Sequence, residues 1–274
     1  MIRSMPFVLL VSYLGSAYAA DKKTNIPELE SASVGWSKVA DDFEPPQSGP
    51  GPVTYAKDHP YVPNNGAGKQ VTFRIADLGN PILKPWAIEK MREQNELAAV
   101  GKRAYEARAS CRPGGVPGFL VMGRVNPLYI VQGKNEVILI NEGGPEVRRV
   151  FLDVAHSANP TTSPYGESVG HYEGGDTLVI DTIGLSDDTY VDNYRTPHTT
   201  QLHVVERFQL SDSGYTLLVT VRVEDPGAFQ TPWSARQTYR RTRTGAMEET
   251  VCAENNIAFD ASVDEVPKAE KPDF

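Results

Sequence analysis

Between Tyr165 and Arg207 the chain holds three of its five histidines, a dense set of acids and four tyrosines. Asp187, Asp188, Asp192, Asn193, Arg195 and His198 crowd into one short stretch of it, between two segments of strand character. His198 follows Pro197 just before the second segment, and Asp192 lies six residues earlier. A histidine oriented by a carboxylate is the usual arrangement for proton transfer near neutral pH. Glu206 adds a second group. In a strand from Gln201 to Leu210 it shares a face with Leu202, Val204, Phe208 and Leu210, so its carboxylate points into an apolar interior. There it must be paired, hydrogen-bonded or protonated. A raised pKa suits a general acid or base, and an ion pair with Arg222 or Arg236 satisfies the same pattern. The expected roles are His198 moving a proton, Asp192 orienting it, Glu206 as the buried partner acid, and Arg195 or Tyr194 steadying developing negative charge. Tyr165, Tyr190 and Tyr194 are amphipathic aromatics suited to a pocket for a flat or apolar molecule. His203 falls on the opposite, polar face with Arg207 and reads as a surface residue.

Other patterns point elsewhere. Gly166-Glu167-Ser168-Val169-Gly170 fits the G-x-S-x-G nucleophile elbow, which would make Ser168 the nucleophile of an esterase. That motif works at a strand-to-helix turn, and here it runs into a Gly-rich turn leading to a strand. No H-E-x-x-H or 2-His-1-carboxylate spacing stands out among His156, His171, His198 and His203, so the expectation is chemistry without a cofactor, with a metal ion as the minor alternative. Cys111 and Cys252 are the two cysteines, and export permits a disulfide between them.

The elements that must position these groups are mostly strands. Leu128 to Val131 and Val137 to Ile140, joined through Gly133-Lys134-Asn135, read as a hairpin. Val71 to Leu78, Val147 to Val154, Asp176 to Ile183, Leu202 to Leu210, Tyr215 to Glu224 and Trp233 to Thr242 continue the period of two. A single helix is predicted after Pro85, where strong helix formers place Ile88, Met91 and Ala98 near helical spacing. The fold class expected is therefore mainly β: an antiparallel barrel or curved sandwich of calycin-like character, with one packed helix.

The chain has 274 residues and a net charge of -8, which argues against a nucleic-acid partner. Residues 1–19 carry the charged, apolar and small-residue order of a signal peptide, with an apolar run too short to span a membrane. This predicts a periplasmic or secreted protein. Residues 20–70 are expected to form an extended Pro/Gly-rich arm, residues 71–255 a single β-rich domain and residues 256–274 a loose acidic tail.

The segments FRIADLGNPILKPWA, SCRPGGVPG, VFLDVAHSANPTTSPYGESVGHYEGGDTLVIDTIG, VDNYRTPHTTQLHVVERF and VCAENN resemble those of a family of exported bacterial proteins of unknown function, over about Val71 to Asn255. The resemblance implies one exported domain and transfers no catalytic residue. The functional expectation is a cofactor-independent lyase, isomerase or hydrolase acting on a small apolar or aromatic molecule. The alternatives are a periplasmic binding protein for an apolar ligand and a serine esterase.

Overall fold

The computed structural model describes residues 26–30, 34–59, 74–100, 112–122, 127–141 and 146–243. The segment 1–19 expected to be a signal peptide, both cysteines and the tail expected to be loose lie outside these described residues. Nine strands close into one barrel in sequence order: β1 (Val34–Lys38), β2 (Leu128–Gln132), β3 (Glu136–Asn141), β4 (Glu146–Leu152), β5 (Glu167–Glu173), β6 (Thr177–Ile183), β7 (His203–Ser211), β8 (Thr216–Glu224) and β9 (Trp233–Arg243). Among the described residues there is one α-helix, α1 (Pro85–Ala99), which is not part of the ring of strands.

Closure with nine strands dictates one departure from the antiparallel expectation. If every neighbour ran antiparallel, the first and ninth strands would point the same way and could not pair antiparallel. Yet β1 and β9 do so over five residue pairs. An odd ring therefore needs a parallel neighbour, and it lies between β4 and β5, where Val150, Phe151 and Leu152 align with Ser168, Val169 and Gly170. The barrel is thus mixed, and residues 153–166 form the crossover that the parallel pair requires.

The strands follow their sequence alternation. In β4, Glu146, Arg148, Val150 and Leu152 point inward while Val147, Arg149 and Phe151 face out. In β8, Leu217, Val219, Val221 and Val223 are buried, as the period of two predicts; Tyr215, expected to start that face, precedes the strand and is exposed. The β2–β3 hairpin forms as read, in register from Leu128 with Asn141 to Gln132 with Val137.

Other segments extend the sequence reading. Within the residues expected as an extended arm, β1 joins the barrel and buries Trp36. The string around Ser168 itself forms part of β5. Of the strand expected at Val71 to Leu78, the described residues show one bridge, Ala76 with Tyr55. Ala76 is otherwise held by α1, whose Asn95 side-chain amide bonds its backbone N–H and C=O at 2.9 Å each. Proline at the first turn starts α1, and Ala87, Met91 and Ala98 are its buried residues.

One mouth of the barrel is stopped by residues 114–122, all buried. Tyr239 Oη donates to Leu120 O at 2.7 Å and Lys38 Nζ to Val121 O at 2.9 Å, so strands from both sides of the seam grip this plug. The loop of residues 184–202 lies over it. A side chain at Gly115 would meet Thr189, and one at Gly118 would come within 2.7 Å of Tyr190 O. Two glycines thus permit that close approach.

Candidate functional site

Glu206 points into the barrel, as its strand pattern predicts, and is fully buried. Its partner is neither Arg222 nor Arg236 but Arg148, which β4 sends inward. Arg148 Nη1 lies 3.0 Å from Glu206 Oε1 and Nη2 lies 2.5 Å from Oε2, a bidentate pair. The guanidinium also donates to Ser168 Oγ at 3.1 Å and to Thr182 Oγ1 at 2.7 Å. One network therefore crosses β4, β5, β6 and β7, and both carboxylate oxygens of Glu206 are engaged. Burial, and secondarily the negative charge of Glu206, pushes the Tyr239 phenol upward.

This network also accounts for the GESVG string. Ser168 is the second residue of β5, its hydroxyl on Arg148 and Thr182. No histidine lies on it, and no strand-to-helix turn presents it. Gly166 has φ +59, and a Cβ there would come within 2.3 Å of Ile183 O; at Gly170 a Cβ would come within 2.8 Å of Val179 O. Barrel packing, not an exposed nucleophile, dictates both glycines.

The mouth residues lie in one loop, but the structure wires them separately. Asp192 Oδ1 accepts the backbone N–H of Tyr194 at 2.9 Å and of Thr196 at 3.2 Å, while Oδ2 accepts the Thr196 hydroxyl at 2.8 Å. It organises its own turn and makes no hydrogen bond to His198. Burial pushes its carboxyl up to about 6, partly offset by the Thr196 and Tyr194 hydrogen bonds. His198 is buried, with Nε2 2.8 Å from Thr189 Oγ1 and Nδ1 3.1 Å from Thr199 O. Burial holds it below the ordinary histidine value. Tyr194 Oη donates to Asp42 Oδ2 at 3.0 Å, and Arg195 Nη2 to Arg74 O at 2.6 Å. Tyr190 is buried beside Pro197, and Tyr165 packs edge-on to Phe119 at 6.1 Å. His198, Asp192 and Glu206 are thus not hydrogen-bonded to one another, and the loop latches the plug and the segments around Asp42 and Arg74.

A different cluster is exposed. On the outer face of β5 to β7, His203 Nε2 lies 2.9 Å from Asp181 Oδ1, and His156 Nε2 lies 3.1 Å from the same oxygen. His156 Nδ1 lies 3.0 Å from Glu167 Oε1. Ser157 closes the chain, its backbone N–H on Glu167 Oε1 at 2.7 Å and its hydroxyl on Oε2 at 2.5 Å. Those Ser157 bonds, with His156 after them, hold Glu167 below the usual carboxylate range. The side chains of Asp181 and His203 are 40% and 39% exposed, so the pair is open to solvent. Among the described residues no three His, Cys, Asp or Glu side chains are arranged to hold a metal ion.

The sequence carried part of this. His203 falls on the outer face as its strand predicts, and Asp181 sits outward in β6 by the same alternation. Arg148 was legible from the alternation of EVRRVFL, in which it shares a face with Val150 and Leu152. The position of His156 was not, because it depends on how the 153–166 crossover lies on the sheet. Among the described residues no helix is long and apolar enough to cross a membrane. Compared with family models, curated proteins and solved structures, the chain matches none.

Proposed function

We propose that this chain is an exported enzyme that moves a proton by general acid–base catalysis, without a cofactor, on a small apolar or aromatic molecule, and that His203 and Asp181 carry the step. The observation behind this reading is the 2.9 Å contact between His203 Nε2 and Asp181 Oδ1 on a solvent-open strand pair. With Nε2–H donated to the carboxylate, the neutral imidazole carries its lone pair on Nδ1, which makes no hydrogen bond to a described residue. Asp181 fixes that tautomer and stabilises the imidazolium that forms when the proton arrives. Val169 and Val205 stand opposite Asp181 on the two flanking strands, which suits an apolar substrate. Arg222, register partner of Val205, supplies positive charge for a developing anion. The N-terminal sequence pattern supports export.

His198 takes no part in this scheme, because its two nitrogens serve Thr189 and Thr199 inside the mouth. A carrier of an apolar ligand would need an empty interior, whereas Trp36, Arg148, Glu206, Phe208, Gln237 and Tyr239 are all buried in this one.

The test is α-proton exchange with deuterated solvent on a panel of enolisable aromatic ketones, alongside hydrolysis of aromatic esters and lactones. His203→Gln and Asp181→Asn should each lower turnover by about 10²- to 10⁴-fold, the usual contribution of a positioned general base. His198→Gln should leave the folded enzyme active. Wild-type turnover in folded His203→Gln would remove the proposal.

A further inference from the structure

His156 faces a carboxylate at each ring nitrogen: Glu167 Oε1 at 3.0 Å from Nδ1 and Asp181 Oδ1 at 3.1 Å from Nε2. Ionised carboxylates only accept hydrogen bonds, and a neutral imidazole has a single N–H to give. Both contacts are attractive together only when His156 is an imidazolium. Once the proton leaves, one ring nitrogen presents its lone pair to a carboxylate oxygen, and that contact turns repulsive.

The surroundings decide which contact opens. Glu167, from β5, is bound to the same segment twice more through Ser157. Asp181, from β6, is also served by His203 from β7, whose register partner on β8 is Glu224, itself 3.7 Å from Arg222. Neither carboxylate of the clamp depends on His156 alone, but only the Glu167 contact is reinforced from the His156 side. The bond between His156 Nε2 and Asp181 Oδ1 is therefore the one that parts.

Its release matters because this segment has few other ties. Residues 154–159 are exposed except for His156. The crossover is anchored at its ends by Asp153 N–H on Gly170 O at 2.8 Å and Ser163 N–H on Gly184 O at 3.1 Å. Between them, only His156 reaches across to β6. We infer that His156 is a proton-operated clamp: protonated, it holds residues 154–159 against β5 and β6 over the outer-face cluster, and on losing its proton it lets that segment lift away from Asp181. The device stands on the clamp geometry alone and does not require the catalytic reading.

The experiment is ¹³Cα relaxation of residues 154–159 in the full chain at pH 5 and pH 8, with the imidazole ¹⁵N signals of His156 followed over the same range. In the wild type, the order parameters of residues 154–159 should fall at pH 8 from rigid-backbone values of about 0.85 to below about 0.6. Asp181→Asn should abolish that fall, because the new amide can donate to a neutral Nε2 or accept from a charged one. His203→Gln should keep it, so loss of turnover in that variant with the clamp intact separates this inference from the catalytic one. A pH-independent wild-type segment, or an undiminished response in Asp181→Asn, would overturn it.

Discussion

At the scale of single residues, Asp192 and His198 sit in one buried loop and work against each other as pH changes. The Asp192 carboxyl is raised by burial to about 6, against about 3.9 in an unfolded chain. A raised folded value means that its favourable contribution is complete below about pH 4 and is lost as pH rises through 6, where the buried group must ionise. Two units correspond to about 3 kcal/mol as an order of magnitude. His198 is depressed by burial, so its contribution is present above about 6.5 and is lost as pH falls toward its folded value. Urea unfolding from pH 4 to pH 7 should separate the two. Asp192→Asn leaves the histidine term, and stability should rise with pH; His198→Gln leaves the carboxyl term, and stability should fall. Parallel pH profiles in the two variants would show that neither group is held as its surroundings indicate.

At the scale of elements, the parallel junction between β4 and β5 is braced by polar groups as well as by backbone pairing. Arg148 reaches from β4 past Ser168 on β5 and Thr182 on β6 to Glu206 on β7. Removing one member of a fully buried pair strands the other charge, at about 3–5 kcal/mol, whereas replacing both with apolar residues of like volume is often neutral. Glu206→Leu and Arg148→Met should each lose stability of that order, and the Arg148→Met/Glu206→Leu double variant should recover most of it, as read from a double-mutant cycle in urea. Gly170 lies at the same junction, where a Cβ would come within 2.8 Å of Val179 O and 2.9 Å of Val150 Cγ1. Gly170→Ala should cost about 1–3 kcal/mol by overpacking, seen as a lower thermal midpoint. The strands with clean alternation, β3, β4, β7, β8 and β9, were legible because each buries one face on its own pattern, and β6 was legible as a short apolar run, buried from Thr177 to Ile180. β1 and β5 were not: one hides in a Pro- and Gly-rich stretch, and the other carries Gly, Ser and His where a strand usually carries β-branched residues. The interior carboxylate could be read from β7 alone. Its partner lies three strands away, and the outer cluster joins a crossover to three strands, so both required the folded register.

At the scale of the whole molecule, the ring of strands leaves no free edge, and that depends on the short strand β1. Trp36 at its centre is fully buried, donates its indole N–H to Leu29 O at 2.9 Å and carries the Arg241 guanidinium 4.6 Å from its ring centre. Its neighbours across the seam are Leu128 on β2 and Arg241 on β9. Trp36→Ala and Phe208→Ala each delete a large buried ring and should each cost about 3–5 kcal/mol, yet they should fail differently. Phe208 belongs to β7, paired over long runs on both sides, so its loss loosens a wall that stays closed. Trp36 belongs to a strand that meets β2 at a single register pair, so its loss opens the seam and bares the edges of β2 and β9. Exposed edges template pairing between chains. Size-exclusion chromatography with light scattering, under conditions where both variants keep native circular dichroism, should show oligomers for Trp36→Ala and monomer-like behaviour, relative to wild type, for Phe208→Ala. Equal association of the two would mean that β1 fills the barrel without being what keeps it shut.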